Sequence, residues 1–231
     1  MRRDSLHVNP FFDQKVVAGY ERWYETVGRR ADRLEKALLA KLLAQFPEAR
    51  RVLEIGCGTG HFTRWFASRG LQTVGLDISA AMLADAQRRG TGMLAMGDAL
   101  SLPLQTGCCD VVAMITTLEF LEEPVRALRE ALRVAQRGLI LGVLNRRSRL
   151  GERLRREGGP IWGAAHFYTP AELARIVKIA LDGRHATLTY RTTVWPLWPR
   201  DLPLSRGGFI GMAVRPAAHG EGQRDPDIGA D

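Results

Sequence analysis

The tightest restriction on the fold of this chain comes from three glycines at alternate positions, directly after a short apolar run. They are Gly56, Gly58 and Gly60 in the stretch VLEIGCGTGHF, which starts at residue 52. The apolar residues predict a buried strand over 51–55, and the aromatic stretch after the glycines predicts a helix. Glycines permit positive φ angles and close approach of a ligand, and a helix N-terminus offers free N–H groups. The stretch therefore predicts a ligand-binding turn.

The apolar pattern then alternates between strand-like runs and helical spacing. Helices between successive apolar strands predict a parallel sheet, and the last two strands lack an intervening helix, which predicts an antiparallel addition. The fold class is therefore α/β, doubly wound, with a mostly parallel seven-stranded sheet and an antiparallel last strand. The predicted strands are 51–55, 72–76, 92–96, 110–115, 139–144, ATLTYRTTVW (186–195) and GFIGMAVRP (208–216).

Local signals place several helix boundaries. Ser79 is a predicted N-cap, and Thr169 with Glu172 forms a predicted capping box. A helix is expected to start at Pro124 and to stop at Gly138. No linker divides the chain, so residues 1–215 are expected to form one domain, with a disordered tail over 216–231.

The composition narrows the class of protein. No apolar run approaches the length of a membrane span, and the N-terminus lacks the apolar core of a signal peptide, so a cytoplasmic location is expected. Three cysteines argue against a disulfide framework, and no Cys or His pair has zinc-ligand spacing, so no metal is expected. The sequence does not indicate the oligomeric state.

The net charge of +8 raises the question of nucleic acid as a partner. The 33 basic residues comprise 29 Arg and 4 Lys, a skew more typical of a chain-wide bias than of one binding face. Most arginines are interspersed with acids, and nucleic acid is not expected as the partner. The dense exception is a run of six arginines within residues 146–156.

The pattern E-x-G-x-G-x-G, which begins at Glu54, resembles the first motif of the class I S-adenosylmethionine-dependent methyltransferases, of the methyltransferase type 11 kind. The stretches VGLDIS, GDALSLP and CDVVAMITTLEFL look like the second, third and fourth motifs of that family. The resemblance covers roughly residues 20 to 180. It implies a Rossmann-like fold, S-adenosylmethionine as cofactor and S-adenosylhomocysteine as product.

The resemblance also implies roles for individual residues. Asp77 would hold the ribose hydroxyls, Asp98 would accept from the adenine amino group, and Thr116 would touch the methionine part. Residues 1–46 would form an N-terminal helical lid. The implied cofactor contacts are Tyr20, Trp23, Glu54, Gly56, Cys57, Gly58, Gly60, Asp77, Ile78, Asp98, Ala99, Leu100 and Thr116.

Two observations limit the alternatives. A dinucleotide fingerprint needs a third glycine at position 61, where this chain has His61, so a nicotinamide cofactor is disfavoured. The segment after the fourth strand has Glu119 and Phe120 where the family often has a His pair, which leaves the substrate open.

Two residues are candidates for chemistry on the acceptor. Glu119 follows the fourth strand, although a carboxylate at a helix start is an equally good explanation. His166 precedes the capping box and could act as a base, although a histidine in a surface loop often has no function. A base is required only if the acceptor must lose a proton.

The segment 145–169 is predicted to be a cap over the acceptor pocket, since ligands bind beyond the carboxyl ends of parallel strands. Trp162 and Phe167 would line that pocket, with Tyr24, and Arg146 would bind an anionic group on the acceptor. The competing explanations are core packing for the aromatic residues and a solvated basic helix for the arginines.

Three functions remain open. The first is methylation of a small molecule that is anionic or resembles a quinone or a lipid. The second is methylation of RNA, although an added RNA-binding module and an Asn-Pro-Pro-Tyr-type motif are both lacking. The third is cofactor binding without catalysis.

Overall fold

A computed structural model of the chain describes residues 10–26, 28–193 and 201–217. In this part of the chain, eight strands form one sheet in the order β3-β2-β1-β4-β5-β8-β6-β7. Strands β1 to β5 are mutually parallel, and β8 is antiparallel to both β5 and β6. The strands are β1 (Arg51–Ile55), β2 (Gln72–Asp77), β3 (Met93–Met96), β4 (Cys109–Ile115), β5 (Ala135–Leu144), β6 (Ala186–Thr193), β7 (Asp201–Leu202) and β8 (Phe209–Pro216).

The predicted fold class is confirmed, with one addition. The seven predicted strands are present, and the antiparallel strand is the last, as expected. The eighth, β7, has only two residues and pairs with the outer end of β6, so no periodicity could have revealed it.

Helices cover both faces of the sheet. Side chains of α2 and α3 pack on one face, and side chains of α5 and α8 pack on the other, each around its own apolar cluster. The helices are α1 (Gln14–Glu25), α2 (Arg29–Leu43), α3 (His61–Ala67), α4 (Ala80–Arg88), α5 (Pro124–Val134), α6 (Arg149–Glu157), α7 (Gly159–Trp162) and α8 (Pro170–Leu181).

The predicted caps are confirmed and one predicted helix end is wrong. The Ser79 hydroxyl accepts a hydrogen bond from an α4 amide, and Thr169 and Glu172 form a reciprocal capping box. Helix α5 ends at Val134 rather than at Gly138, because β5 already begins at Ala135. A Cβ atom on Gly138 would lie 2.0 Å from the Val214 carbonyl oxygen. This glycine permits close approach of β8 and does not stop a helix.

The two helical segments expected before the first strand are α1 and α2. Residues 1–9 of the expected lid region lie outside the described residues, as do residues 218–231 of the expected tail. Strand β8 extends one residue into that tail, to Pro216. Among the described residues, no helix has both the length and the apolar character to cross a membrane.

Candidate active site

The glycine turn connects β1 to α3, and its three glycines have positive φ angles of 70°, 53° and 78°. A Cβ atom on Gly56 would lie 2.3 Å from Thr117 Cγ2, and one on Gly60 would lie 2.2 Å from Thr91 Oγ1. Among the described residues other than its chain neighbours, the atom nearest to the corresponding position on Gly58 is Met82 Sδ, at 3.8 Å. Packing therefore requires glycine at the outer two positions, whereas the backbone conformation alone favours it at Gly58.

Asp77 ends the neighbouring strand β2 and faces this turn. Its Oδ2 accepts a hydrogen bond from the Gly58 amide at 2.8 Å, and its Oδ1 accepts one from the Ser79 amide at 2.9 Å. Burial raises the pKa of this carboxyl above its ordinary value, although the amide hydrogen bonds oppose that shift. Because a carboxylate has about four acceptor positions, these amides leave capacity for a further donor.

An exposed apolar side chain lies next to this acid. Ile78 is 48% exposed, which is unusual for isoleucine in a folded domain. Asp98 follows the next strand, and its Oδ1 accepts a hydrogen bond from the Leu100 amide at 2.9 Å. Ala99 is buried and Leu100 packs on the core cluster. Of the expected adenine wall, Ile78 therefore has the most accessible surface.

Two predicted cofactor residues support the turn from beneath. The buried Glu54 carboxyl accepts a hydrogen bond from the Thr63 hydroxyl of α3, and burial raises its pKa to about 8. The Cys57 thiol lies against Gly75, where a Cβ atom would come within 2.9 Å of its sulfur. Both side chains hold the turn to the sheet, and a direct contact of either with a cofactor stays a prediction.

The predicted aromatic residues of α1 divide between two places. The Tyr20 ring lies over the turn, with Cε1 3.9 Å from the position of a Cβ atom on Gly58. The Tyr24 ring stacks on His61, with centroids 4.0 Å apart. Trp23 lies on the wall of a separate cavity. Tyr20 thus covers the turn as expected of a lid residue, whereas Trp23, three residues further along the same helix, lines the cavity.

Sequence reasoning missed the acid that anchors α1 over the turn. The buried Glu21 carboxylate accepts a hydrogen bond from the Thr59 hydroxyl at 2.8 Å. It also forms ion pairs with Arg64 at 2.5 Å and with Arg89 at 3.0 Å. These partners belong to the turn, to α3 and to the end of α4, so no spacing along the sequence links them.

The end of β4 contains a strained residue. Thr116 has a φ angle of 53°, although positive values are unfavourable for a β-branched side chain. Its amide donates to the Gly142 carbonyl at 2.7 Å. The next hydroxyl, of Thr117, donates to the Ile55 carbonyl at 3.1 Å and connects this strand to the glycine turn. Backbone strain of this kind is typical of functional sites.

Glu119 follows on a 3₁₀ turn over Leu118–Phe120, so it does not begin an α-helix. Its Oε1 accepts a hydrogen bond from the Leu144 amide at 2.7 Å. Its Oε2 is buried and has no hydrogen-bond partner among the described residues. Burial raises the pKa of this carboxyl to about 8. A buried carboxyl oxygen without a partner is costly, which favours a functional role over a merely structural one.

His166 reaches the same region with its backbone. Its amide donates to the Glu119 carbonyl at 2.7 Å. The imidazole is exposed and lies edge-on to the Tyr168 ring, with centroids 4.8 Å apart. The proposed role of His166 as a base stays a prediction.

A cavity of about 1270 Å³ lies between the N-terminal helices and the segment after β5, and neither the glycine turn nor Glu119 is on its wall. It is bounded by α1, α2, the start of β8, the end of β6 and α6. Arg146, predicted to bind the acceptor, is on its wall. The lining residues are Trp23, Arg30, Ala31, Leu34, Glu35, Arg146, Arg147, Ser148, Arg149, Leu150, Glu152, Arg153, Arg155, Thr193, Arg206, Gly208 and Phe209.

The expectation that Trp162 and Phe167 line the acceptor pocket is not met in this cavity, since neither is on its wall. Phe167 is buried with Leu144 and Leu154, and the Trp162 ring packs on it with centroids 6.1 Å apart. The short helices α6 and α7 need an apolar cluster of their own, and these aromatic residues provide it. Tyr24 is likewise absent from the lining and packs on His61 instead.

Glu35 is the second residue that sequence reasoning missed. It lies on the wall of the cavity and is buried, and burial raises its pKa to about 8. Its helix buries residues 35, 38, 39 and 42, and the other three are leucines. A charged residue on the apolar face of an amphipathic helix was the available signal.

Among the described residues, no group of three or more His, Cys, Asp or Glu side chains is placed to hold a metal ion.

Comparison with known proteins identifies the family. A family model described as a methyltransferase domain matches residues 53–142, which include the glycine turn, Asp77, Asp98 and Glu119. A methyltransferase of Thermotoga maritima that depends on S-adenosylmethionine has a solved structure with a TM-score of 0.74 and 28% identity. That likeness covers 89% of this chain and 97% of the other.

Two relatives in sequence add to this. An uncharacterized protein of Methanocaldococcus jannaschii is 30% identical over 71% of this chain and 77% of its own length. Malonyl-[acyl-carrier protein] O-methyltransferase of Pectobacterium atrosepticum is 33% identical over 47% of this chain. The match spans 44% of that enzyme, so its acceptor does not transfer to this protein by similarity alone. With the sheet order and the glycine turn, these matches show that the chain belongs to the class I S-adenosylmethionine-dependent methyltransferases, and that S-adenosylmethionine is its cofactor.

Proposed function

We propose that this methyltransferase acts on a small-molecule acceptor, which binds in the cavity between α1, α2 and α6. The observation that carries the proposal is the position of this cavity. Helix α1 contributes a residue to each place: Tyr20 covers Gly58 in the glycine turn, and Trp23 lines the cavity wall. A volume of about 1270 Å³ is sufficient for a metabolite or cofactor-sized ligand.

The side chains at the carboxyl edge of the sheet fit the cofactor. Asp77 has acceptor capacity for the two ribose hydroxyls, and Ile78 offers an apolar surface for the adenine ring. Asp98 would accept from the adenine amino group. Tyr20 and the strained Thr116 would enclose the methionine part, and the glycine turn would approach it closely. When bound, S-adenosylmethionine supplies an electrophilic methyl group on a sulfonium sulfur.

Residues of the chain would then orient the acceptor and exclude water. Positioning supplies much of the rate of an in-line displacement, because the leaving group is good. Glu119 lies after β4 with one carboxyl oxygen unpartnered among the described residues, and it would orient an acceptor group. Because its pKa is about 8, it would receive the proton of the acceptor only in its ionised form, which predominates above that pH. Segment 145–169 would form the cap, and Arg146 would contact the acceptor.

RNA is the alternative acceptor, and the arginines of residues 146–156 favour it. A concave site between α1, α2 and α6 favours a small ligand, because a folded RNA needs a broad surface. The arginines therefore fit either a small anionic acceptor or RNA, and the experiment has to distinguish these two acceptors.

The test combines methyl-labelled S-adenosylmethionine with a low-molecular-mass metabolite extract or with total RNA, followed by identification of the labelled product. Label in a small molecule supports the proposal. Label confined to RNA contradicts it. The Asp77→Ala variant is the control for cofactor-dependent labelling.

A further inference from the structure

The cavity wall has an unusual charge distribution. Seven arginines and two glutamates line it, and no lysine, aspartate or histidine accompanies them. The arginines come from three separate parts of the chain. They are Arg30 at the start of α2, five residues between 146 and 155, and Arg206 before β8. Convergence from distant segments distinguishes this cluster from the solvated face of a single basic helix.

Within residues 10–26, 28–193 and 201–217, the guanidinium groups of four of these arginines form neither an ion pair nor a hydrogen bond. They are those of Arg147, Arg149, Arg155 and Arg206, and the Arg147 amide alone donates to Asn145 Oδ1 at 3.0 Å. The exposed Arg129, Arg175 and Arg215 form no ion pair with a described residue either, so what distinguishes these four arginines is that one cavity gathers them. Like charges gathered in a concave site repel one another unless an anion occupies it.

The acids of the cavity neutralise little of this charge. Burial holds the Glu35 carboxyl protonated at neutral pH, since its pKa is raised to about 8. Glu152 is exposed and lies near Arg156, at 4.0 Å. Helix α6 begins on the cavity wall at Arg149, so its positive end adds to the local potential.

We propose that this cavity binds an acceptor that carries a phosphate-class group, with at least two negative charges, on Arg147, Arg149 and Arg206. The proposal rests on the proposed function, because it names the chemical class of that acceptor. A monoanion would leave most of the unpaired arginines uncompensated, whereas a phosphate or diphosphate has enough oxygens for several guanidinium groups. A cationic acceptor would be repelled. Trp23, Leu34 and Phe209 provide apolar wall for the rest of the molecule.

Pyrophosphate is a suitable probe, since it presents the charge without assuming an acceptor. We expect calorimetry at fixed ionic strength to show binding of pyrophosphate to the full chain, and none of tetramethylammonium. The variant Arg147→Gln/Arg149→Gln/Arg206→Gln should bind pyrophosphate about 10- to 100-fold more weakly, because charged hydrogen bonds are lost. These side chains are exposed, so the variant is expected to fold.

A matched control removes the same charge elsewhere. Arg129, Arg175 and Arg215 are also exposed, and none of them lines the cavity. Their triple replacement by Gln should change the pyrophosphate affinity less than about threefold, since long-range charge effects are screened by salt. Both variants should keep the melting temperature and the S-adenosylmethionine affinity of the wild type.

Three results would overturn the proposal. The first is failure of pyrophosphate to bind the wild type, and the second is equal weakening of pyrophosphate binding in both triple variants. The third concerns a single-stranded RNA oligonucleotide: it binds the wild type, pyrophosphate does not displace it, and the triple variant of the cavity no longer binds it. Titration with S-adenosylmethionine in the same preparations tests the proposed function separately. Cofactor binding without pyrophosphate binding contradicts only the acceptor class, whereas pyrophosphate binding without cofactor binding contradicts the methyltransferase activity.

Discussion

The Gly58 amide donates a hydrogen bond of 2.8 Å to the Asp77 carboxylate, and this contact joins the glycine turn to the acid of the next strand. Gly58 lies in the turn between β1 and α3, and Asp77 lies at the end of β2. Strands β1 and β2 are adjacent and parallel in the sheet. Because Asp77 also holds the Ser79 amide at the start of α4, one carboxylate fixes both sides of the site. Disturbing it should affect ligand binding more than the fold.

Glu21 should control how firmly α1 covers the turn. We predict that Glu21→Gln weakens S-adenosylmethionine binding about 3- to 30-fold, mainly through faster dissociation, because its ion pairs with Arg64 and Arg89 are lost. Stopped-flow measurement of cofactor dissociation checks this. Glu25→Gln, an exposed position on the same helix, is the control. Equal dissociation rates in both variants would exclude Glu21 as an anchor of the lid.

Glu119 should act on the acceptor rather than on the cofactor. We predict that Glu119→Gln leaves S-adenosylmethionine affinity within about threefold but lowers kcat, as expected for a group that acts mainly in the transition state. The amide keeps an oxygen for the Leu144 hydrogen bond but loses the ability to take a proton. The measurement is kcat with the identified acceptor, with exposed Glu122→Gln as control. An unchanged kcat in Glu119→Gln would show that Glu119 has only a structural role.

Buried carboxyls should make stability depend on pH. The pKa of Glu35 is about 8 in the folded protein, against an ordinary value of 4.5. The folded state therefore holds a proton that the unfolded chain releases, so the free energy of unfolding falls as pH rises from about 4.5 to about 8.

The variant Glu35→Gln removes the contribution of Glu35 to this dependence, while Glu54 and Glu119, whose pKa values are also about 8, keep theirs. We predict that its stability relative to wild type increases steadily across that pH window and is constant above it. Urea unfolding at several pH values checks this, with exposed Glu122→Gln as control. A constant difference between wild type and Glu35→Gln would show that Glu35 titrates normally.

Phe167 should be a core residue rather than an acceptor contact. We predict that Phe167→Ala lowers the free energy of unfolding by about 3–5 kcal/mol, because the ring is buried with Leu144 and Leu154. Denaturant unfolding measures this. If Phe167→Ala had nearly the stability of the wild type and a raised KM for the acceptor, the result would contradict this prediction and indicate that Phe167 contacts the acceptor.

The sequence predicted what depends on local pattern. The positions of the strands and the turn follow from the glycines and from the alternation of apolar runs, and Ser79 and Thr169 were identified by cap chemistry alone. The Glu21 anchor depends on residues that only the fold brings together, so it was not predictable. The contact of Trp162 and Phe167 with an acceptor stays a prediction, because an apolar residue in a cap segment can face the ligand or support the cap, and periodicity does not distinguish the two. Glu35 could have been found, since its three buried neighbours on α2 are leucines.

Calorimetric titration of S-adenosylmethionine into wild type and Asp77→Ala tests the central claim most directly. We predict that the wild type binds and that Asp77→Ala binds about 10- to 150-fold more weakly, since hydrogen bonds to a charged group contribute about 1.5–3 kcal/mol. Both proteins should have the same far-ultraviolet circular dichroism. Unchanged affinity in a folded Asp77→Ala variant would contradict the assignment of the site.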